Sequence, residues 1–160
     1  MHAVELLYAD SAFSMVLLMP TAGTSVAPIT TLLEPVQWEG AISAMQPSRI
    51  ILRVPKFRFE YEKALNAPLS DLGMGIAFRP LEANFTKIAN RDDIHISRVQ
   101  HKTFIDVHEL GTEAAAATAV GVGVTSLPPE LVFDRSFFFA IRERSTGTLL
   151  FVGRVTDPTR

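Results

Sequence analysis

The 160-residue chain has no cysteine. That excludes disulfide staples, thiolate nucleophiles and thiolate-held metal. It lacks an excess of either charge: 15 Lys and Arg stand against 17 Asp and Glu, a net of −2. Neither a basic footprint for nucleic acid nor a polybasic membrane anchor follows from such a balance. Apolar runs long enough to cross a bilayer are also missing. The nearest, SAFSMVLLMPTAG (11–23), resembles the middle of a signal peptide, but Glu5 and Asp10 precede it and Lys and Arg do not, so it reads as a buried strand. No G-x-S-x-G elbow or H-E-x-x-H helix is present. The four histidines, His2, His95, His101 and His108, are not at i, i+4 spacing beside another ligand and read as structural or solvated groups. Asp92-Asp93 reads as a turn or helix end. Gly121-Val122-Gly123 is no dinucleotide loop, because the third glycine is missing and Pro128-Pro129 prevent a following helix. No residues are left to carry catalysis, and no cofactor is expected.

What is present is apolar material, 48% of the chain, ample for the core of a single domain over 1–160. HAVELLYAD and AFSMVLLMP read as two strands joined at Asp10-Ser11, the second apolar enough to be covered on both faces. Thr24 or Ser25 caps a short helix through Leu33 that Pro35 ends. A second helix, Val36 to Met45, sets Trp38, Ile42 and Met45 on one face. RIILRVPKFRFEYE alternates as a half-buried antiparallel strand with Pro55, Phe57, Phe59 and Tyr61 on one side, and Pro55 marks a bulge or an edge. NAPLSDLGMG is a short helix closed by Gly73, EANFTKIAN a helical turn, and Ile94 to Glu109 one long extended segment. Val132-Phe133, Phe137 to Glu143 and Leu149 to Val155 are strands, the last two a hairpin around Ser145-Thr146-Gly147. The class is α+β, mostly antiparallel β.

One segment does not fit. GTEAAAATAVGVGVTSLPPE (111–130) has no large side chain before Leu127. Its Glu and Ala favour helix, while its flanks place it between strands. A solvated linker or surface helix would account for it. So would a segment that must adopt two conformations. In an extended chain Thr112, Ala114, Ala116 and Thr118 share one face and could enter a sheet without clashes, with Glu113 on the other face toward water.

These residues resemble a known family. HELGTEAAAATAVGVGVTSLPPE is similar to the hinge and reactive-centre loop of the serpins, and VFDRSFFFAIRERSTGTLLFVGRVTDP to their C-terminal signature and final hairpin. VPKFRFEYE and LGMGIAF…ANFTKIA…ISRVQHKTFIDV resemble the strands and short helices leading into the loop. Ser136 departs from the usual proline. Serpins are more than twice this long, so the likeness is to the C-terminal half of the fold: sheet B and sheet C strands, two sheet A strands, short helices and an exposed loop. The chain is read as part of a longer whole.

The resemblance implies an inhibitor of serine proteases, not an enzyme, that meets its target as a suicide substrate through a covalent acyl complex. Aligning the hinge, Gly111, Thr112, Glu113, Ala114, Ala115, Ala116, Ala117 and Thr118, places the reactive bond at Thr125-Ser126. Val122, Val124 and Leu127 then bear on specificity. With no Lys or Arg between Leu110 and Asp134, an elastase-like or subtilisin-like protease suits the loop better than a trypsin-like one. Lys56 resembles the family position that pairs with Glu109, and His101 a histidine where the sheet parts. The alternative is a serpin-like fragment without inhibitory activity that self-associates or pairs through exposed sheet edges. Neither nucleic acid nor membrane is an expected partner. The compartment, extracellular or cytoplasmic, stays open.

Overall fold

The computed structural model describes residues 1–8, 11–23, 31, 34–91, 93–108 and 128–158. Among the described residues eight strands run in chain order: β1 (His2–Leu7), β2 (Phe13–Met19), β3 (Ile51–Arg53), β4 (Phe57–Ala64), β5 (Gln100–Val107), β6 (Glu130–Val132), β7 (Phe137–Glu143) and β8 (Leu149–Val155). Helices α1 (Pro35–Ser43) and α2 (Asn66–Leu69) are short. The chain divides into two compact units, Met1–Phe57 with Val107–Arg160, and Arg58–Asp106.

The first unit is built on an antiparallel sheet of order β1-β2-β7-β8. Its middle strands hold the apolar runs. From Ser14 to Met19 every residue of β2 is buried, as are Phe137 to Ala140 of β7. Alternation sorts these into two faces. On one, Val16, Leu18, Phe138 and Ala140 form a cluster with Trp38 of α1, and Ile42 and Met45 pack against it. The expected i, i+4, i+7 stripe is therefore the docking face of α1. Pro35 opens α1, where its missing N–H costs nothing and its φ is already helical. The other face carries aromatic rings: Phe57 lies 5.2 Å from Phe139 and 5.9 Å from Phe137, and Phe133 lies 5.1 Å from Phe137. Edge-on and tilted contacts of this kind add to the burial itself.

β7 turns into β8 through Glu143. Its carboxylate accepts the Ser145 N–H at 2.8 Å, the Thr146 N–H at 2.7 Å and the Thr146 hydroxyl, and Gly147 supplies a φ of +74°. These donors, the Thr146 hydroxyl foremost, hold the Glu143 carboxyl at a pKa of about 2. β3 and β6 form a separate parallel pair in which Ile51 N–H bonds Pro129 O and Phe133 N–H bonds Arg53 O, both at 2.9 Å. RIILRVPKFRFEYE is thus not one strand. Pro55 has no N–H to give a ladder, and the chain leaves one sheet before it and joins another after it.

The second unit holds most of β4 and β5, a two-stranded sheet. Its contacts run in opposite order along the two strands: Leu65 to Val99, Glu60 to Lys102, Arg58 to Asp106. β5 begins only at Gln100, not at Ile94. The backbone before it is held by other groups: Asn66 Nδ2 donates to Ser97 O, Asn66 Oδ1 accepts Val99 N–H, and Ile96 N–H bonds Ala77 O. Phe59 and Tyr61, expected to be half-buried, are 37% and 52% exposed. After α2 the chain passes through a wide turn at Ser70–Met74 and a tight one at Gly75–Phe78, with Gly73 at φ +100° as the residue that breaks the helix. Of the helix expected from Thr24 or Ser25 to Leu33, only Thr31 is among the described residues, and it is helical.

Candidate functional site

β5 delivers the chain to residue 108, and description resumes at Pro128. The expected loop lies between. Glu109, the hinge residues Gly111 to Thr118, Val122, Val124, the Thr125-Ser126 bond and Leu127 all lie outside the described residues. What the structure does describe is how the two ends are held.

On the leading side, β5 pairs with β4 and with no other described strand. The polar face of this ribbon is tied across: Lys102 Nζ reaches Glu60 at 3.1 Å, and Arg58 lies 3.9 Å from Asp106 and 5.1 Å from the Phe104 ring centroid. The pair with Glu60 raises the Lys102 pKa above its ordinary value. All of these groups are well exposed and screened by water, so the pairs contribute little to stability. They set the order of the two strands more than their stability. His101 Nε2 sits 2.7 Å from Thr103 Oγ1, two residues along the same strand face. That is a local structural hydrogen bond. Lys56 is exposed in the link between β3 and β4.

On the trailing side, Pro128-Pro129 enters β6, which is pinned by the parallel ladder to β3 and by an ion pair between Arg53 and Glu130. Phe133, 2% exposed, follows at once. The loop's exit is therefore anchored in the aromatic face of the first unit, one residue beyond β6.

No motif in the sequence announced a further polar cluster in that unit. Glu5 of β1 accepts a hydrogen bond from Ser14 Oγ at 2.7 Å and one from Arg142 at 2.8 Å, and Arg144 stands 3.5 Å away. Ser14 is fully buried, and the Arg142 and Glu5 side chains are 11% and 19% exposed. Burial pushes the Glu5 carboxyl up. The hydrogen bonds from Arg142 and Ser14 and the two positive charges outweigh it, and the group stays below its ordinary value. The cluster ties β1, β2 and β7 together where the sheet would otherwise be wholly apolar. Charges set in or beside apolar runs, Glu5 in HAVELLYAD and Arg142 directly after FFFAI, were the available signal.

Among the described residues no group of three or more His, Asp or Glu is placed to hold a metal ion, and no helix is long and apolar enough to cross a membrane.

The four-stranded antiparallel sheet, the parallel β3–β6 pair and the two-stranded β4–β5 ribbon, with their short helices, make an α+β architecture. The family model "Serpin (serine protease inhibitor)" matches residues 1–158. Glia-derived nexin of Mus musculus is 36% identical over 156 residues, covering 97% of this chain and 39% of that protein. Plasminogen activator inhibitor 1 of Bos taurus is 34% identical over 159 residues, with coverages of 97% and 39%. The native structure of the thermophilic serpin tengpin superposes with a TM-score of 0.74 at 33% identity, over 97% of this chain and 41% of that one. The chain belongs to the serpin family. It spans about two-fifths of the length of these relatives.

Proposed function

We propose that this chain is the loop-bearing part of a serine protease inhibitor that acts as a suicide substrate. The observation that carries the reading is the placement of an undersized segment directly after β5, a strand whose second edge has no described partner. The comparisons support it, since the relatives include proteins named as inhibitors.

In this reading the protease serine attacks the Thr125 carbonyl. The Thr125-Ser126 C–N bond breaks, the Ser126 amine leaves with a proton, and an acyl-enzyme ester remains on Thr125. The freed segment from Thr112 to Thr125 enters the sheet beside β5. Strand insertion of this kind is a general property of the family rather than a deduction from these residues. Its scale follows from the ladder: at roughly 0.5–1.5 kcal/mol per new hydrogen bond, the whole segment gains on the order of 10 kcal/mol. That is comparable with the stability of a whole domain, enough to distort an attached active site. Small Thr and Ala side chains on the inserting face let the strand enter. The Val122, Val124 and Thr125 stretch suits a shallow apolar pocket, as in elastase-like or subtilisin-like enzymes.

The test is incubation of the chain with an elastase-class and a subtilisin-class protease. A covalent adduct that survives denaturing electrophoresis, with a new N-terminus at Ser126, is expected. Cleavage without adduct, or assembly through sheet edges with no reaction, would overturn the reading.

A further inference from the structure

Asn84, Phe85 and Thr86 form the one Asn-x-Ser/Thr triplet among the three asparagines of the sequence; Asn66 is followed two residues on by Pro68 and Asn90 by Asp92. The triplet sits in the second unit, on a turn that belongs to no strand or helix. Its neighbours anchor it. Ala83 is 7% exposed and its N–H bonds Arg79 O at 3.1 Å, while Phe85 is half-buried and its carbonyl accepts the N–H groups of Ile88 and Ala89. Asn84 is held between these two inward residues and is itself exposed.

The side-chain geometry divides the Asn84 amide into two ends. Oδ1 accepts both the Thr86 hydroxyl at 2.8 Å and the Thr86 N–H at 3.2 Å. Nδ2 donates to no described residue. The hydroxyl required at the third position thus lies against the amide it must accompany, and the nitrogen is turned free.

We propose that Asn84 is an acceptor for an N-linked glycan, with a lipid-diphosphate-linked oligosaccharide as donor. In the transfer Nδ2 forms a bond to C1 of the first sugar. The C1–O bond to the diphosphate breaks, its electron pair leaves with the lipid diphosphate, and one Nδ2 proton passes to a base of the transferase. The product keeps Oδ1 and one N–H, so both hydrogen bonds from Thr86 survive and the turn need not rearrange. The site also suits the modification's physical effect. Leu81 and Ile88, within four residues of Asn84, are 78% and 79% exposed, and a bulky hydrated sugar between them screens apolar surface from other chains.

The full chain, fused to a secretion leader and to a C-terminal acceptor tag that reports entry into the lumen, is expressed in a mammalian secretory host. The expected result is a mobility shift beyond that of the tag alone, reversed by a peptide amidase that converts the linked Asn84 to Asp. The shift is lost in both Asn84→Gln and Thr86→Ala and kept in Thr86→Ser. A chain whose tag is glycosylated while the Asn84 peptide stays unmodified by mass spectrometry refutes the assignment. So does a shift that persists in Asn84→Gln.

Discussion

The ring of Phe139 fills the space that a side chain at Gly153 would need. The two residues are directly opposite in the β7–β8 ladder, and a Cβ built on Gly153 would lie 2.6 Å from Phe139 Cε1. Phe139 is itself buried and packs against Phe57, which restricts its movement. Glycine at this position is there for close approach rather than for a turn.

Gly153→Ala should therefore destabilise the first unit by about 1–3 kcal/mol, the usual cost of overpacking. Urea unfolding followed by the fluorescence of Trp38, the one tryptophan, reads this unit directly. The cost should shrink in a Phe139→Leu background, since the two residues share the clash. Equal costs in both backgrounds would show that the ring is not the obstacle.

The Glu5 cluster makes the same unit acid-sensitive. The folded pKa of Glu5 lies below its ordinary 4.5. A depressed carboxyl contributes stability that is present above the unfolded pKa and lost as pH falls through the folded one. Stability should decline below about pH 4.5, and Glu5→Gln should flatten that part of the profile while lowering the neutral-pH value by about 2 kcal/mol, the scale of a charged hydrogen bond in a partly buried pair. A profile unchanged by the substitution would rule the cluster out as the source.

Glu143 offers a spectroscopic check on the β7–β8 turn. Its carboxyl carbon should titrate near pH 2 in an NMR series. Thr146→Val removes the hydroxyl donor and should move the midpoint up toward 4.5, leaving the two backbone donors in place. A midpoint that stays put would mean that the hydroxyl does not bind the carboxylate in solution.

A fourth expectation rests on the proposed function. Thr112→Arg puts a long charged side chain on the inserting face, so insertion stalls and the protease completes hydrolysis. The yield of covalent adduct should fall at least tenfold while cleavage at Thr125-Ser126 continues. Trapping at the wild-type level would be incompatible with insertion from this end.

Much of the fold was legible wherever one period dominated. FSMVLLM, apolar at every position, is a strand covered on both faces, and Trp38, Ile42 and Met45 are the docked stripe of α1. The hairpin around Ser145-Thr146-Gly147 is where its turn residues put it. Reading failed where a single residue decided between neighbours. Pro55 was assigned the wrong consequence, since the chain passes from one sheet to another around it instead of continuing as one strand. Residues 94–99 have strand-like composition, but Asn66 takes their backbone groups, and no local pattern reveals a partner some thirty positions away. The Glu5 cluster escaped for the same reason: its members come from three strands. The loop was conspicuous by its small residues, and the family resemblance, not its composition, supplied its role.

The position of β7 bears on what a cut in the loop could look like. Everything after Ser126 includes β6, laddered to β3, and β7, hydrogen-bonded on both sides by β2 and β8. A nicked molecule would therefore remain one particle, its two pieces held by ladder hydrogen bonds. Only dissolving the sheet would release the tail.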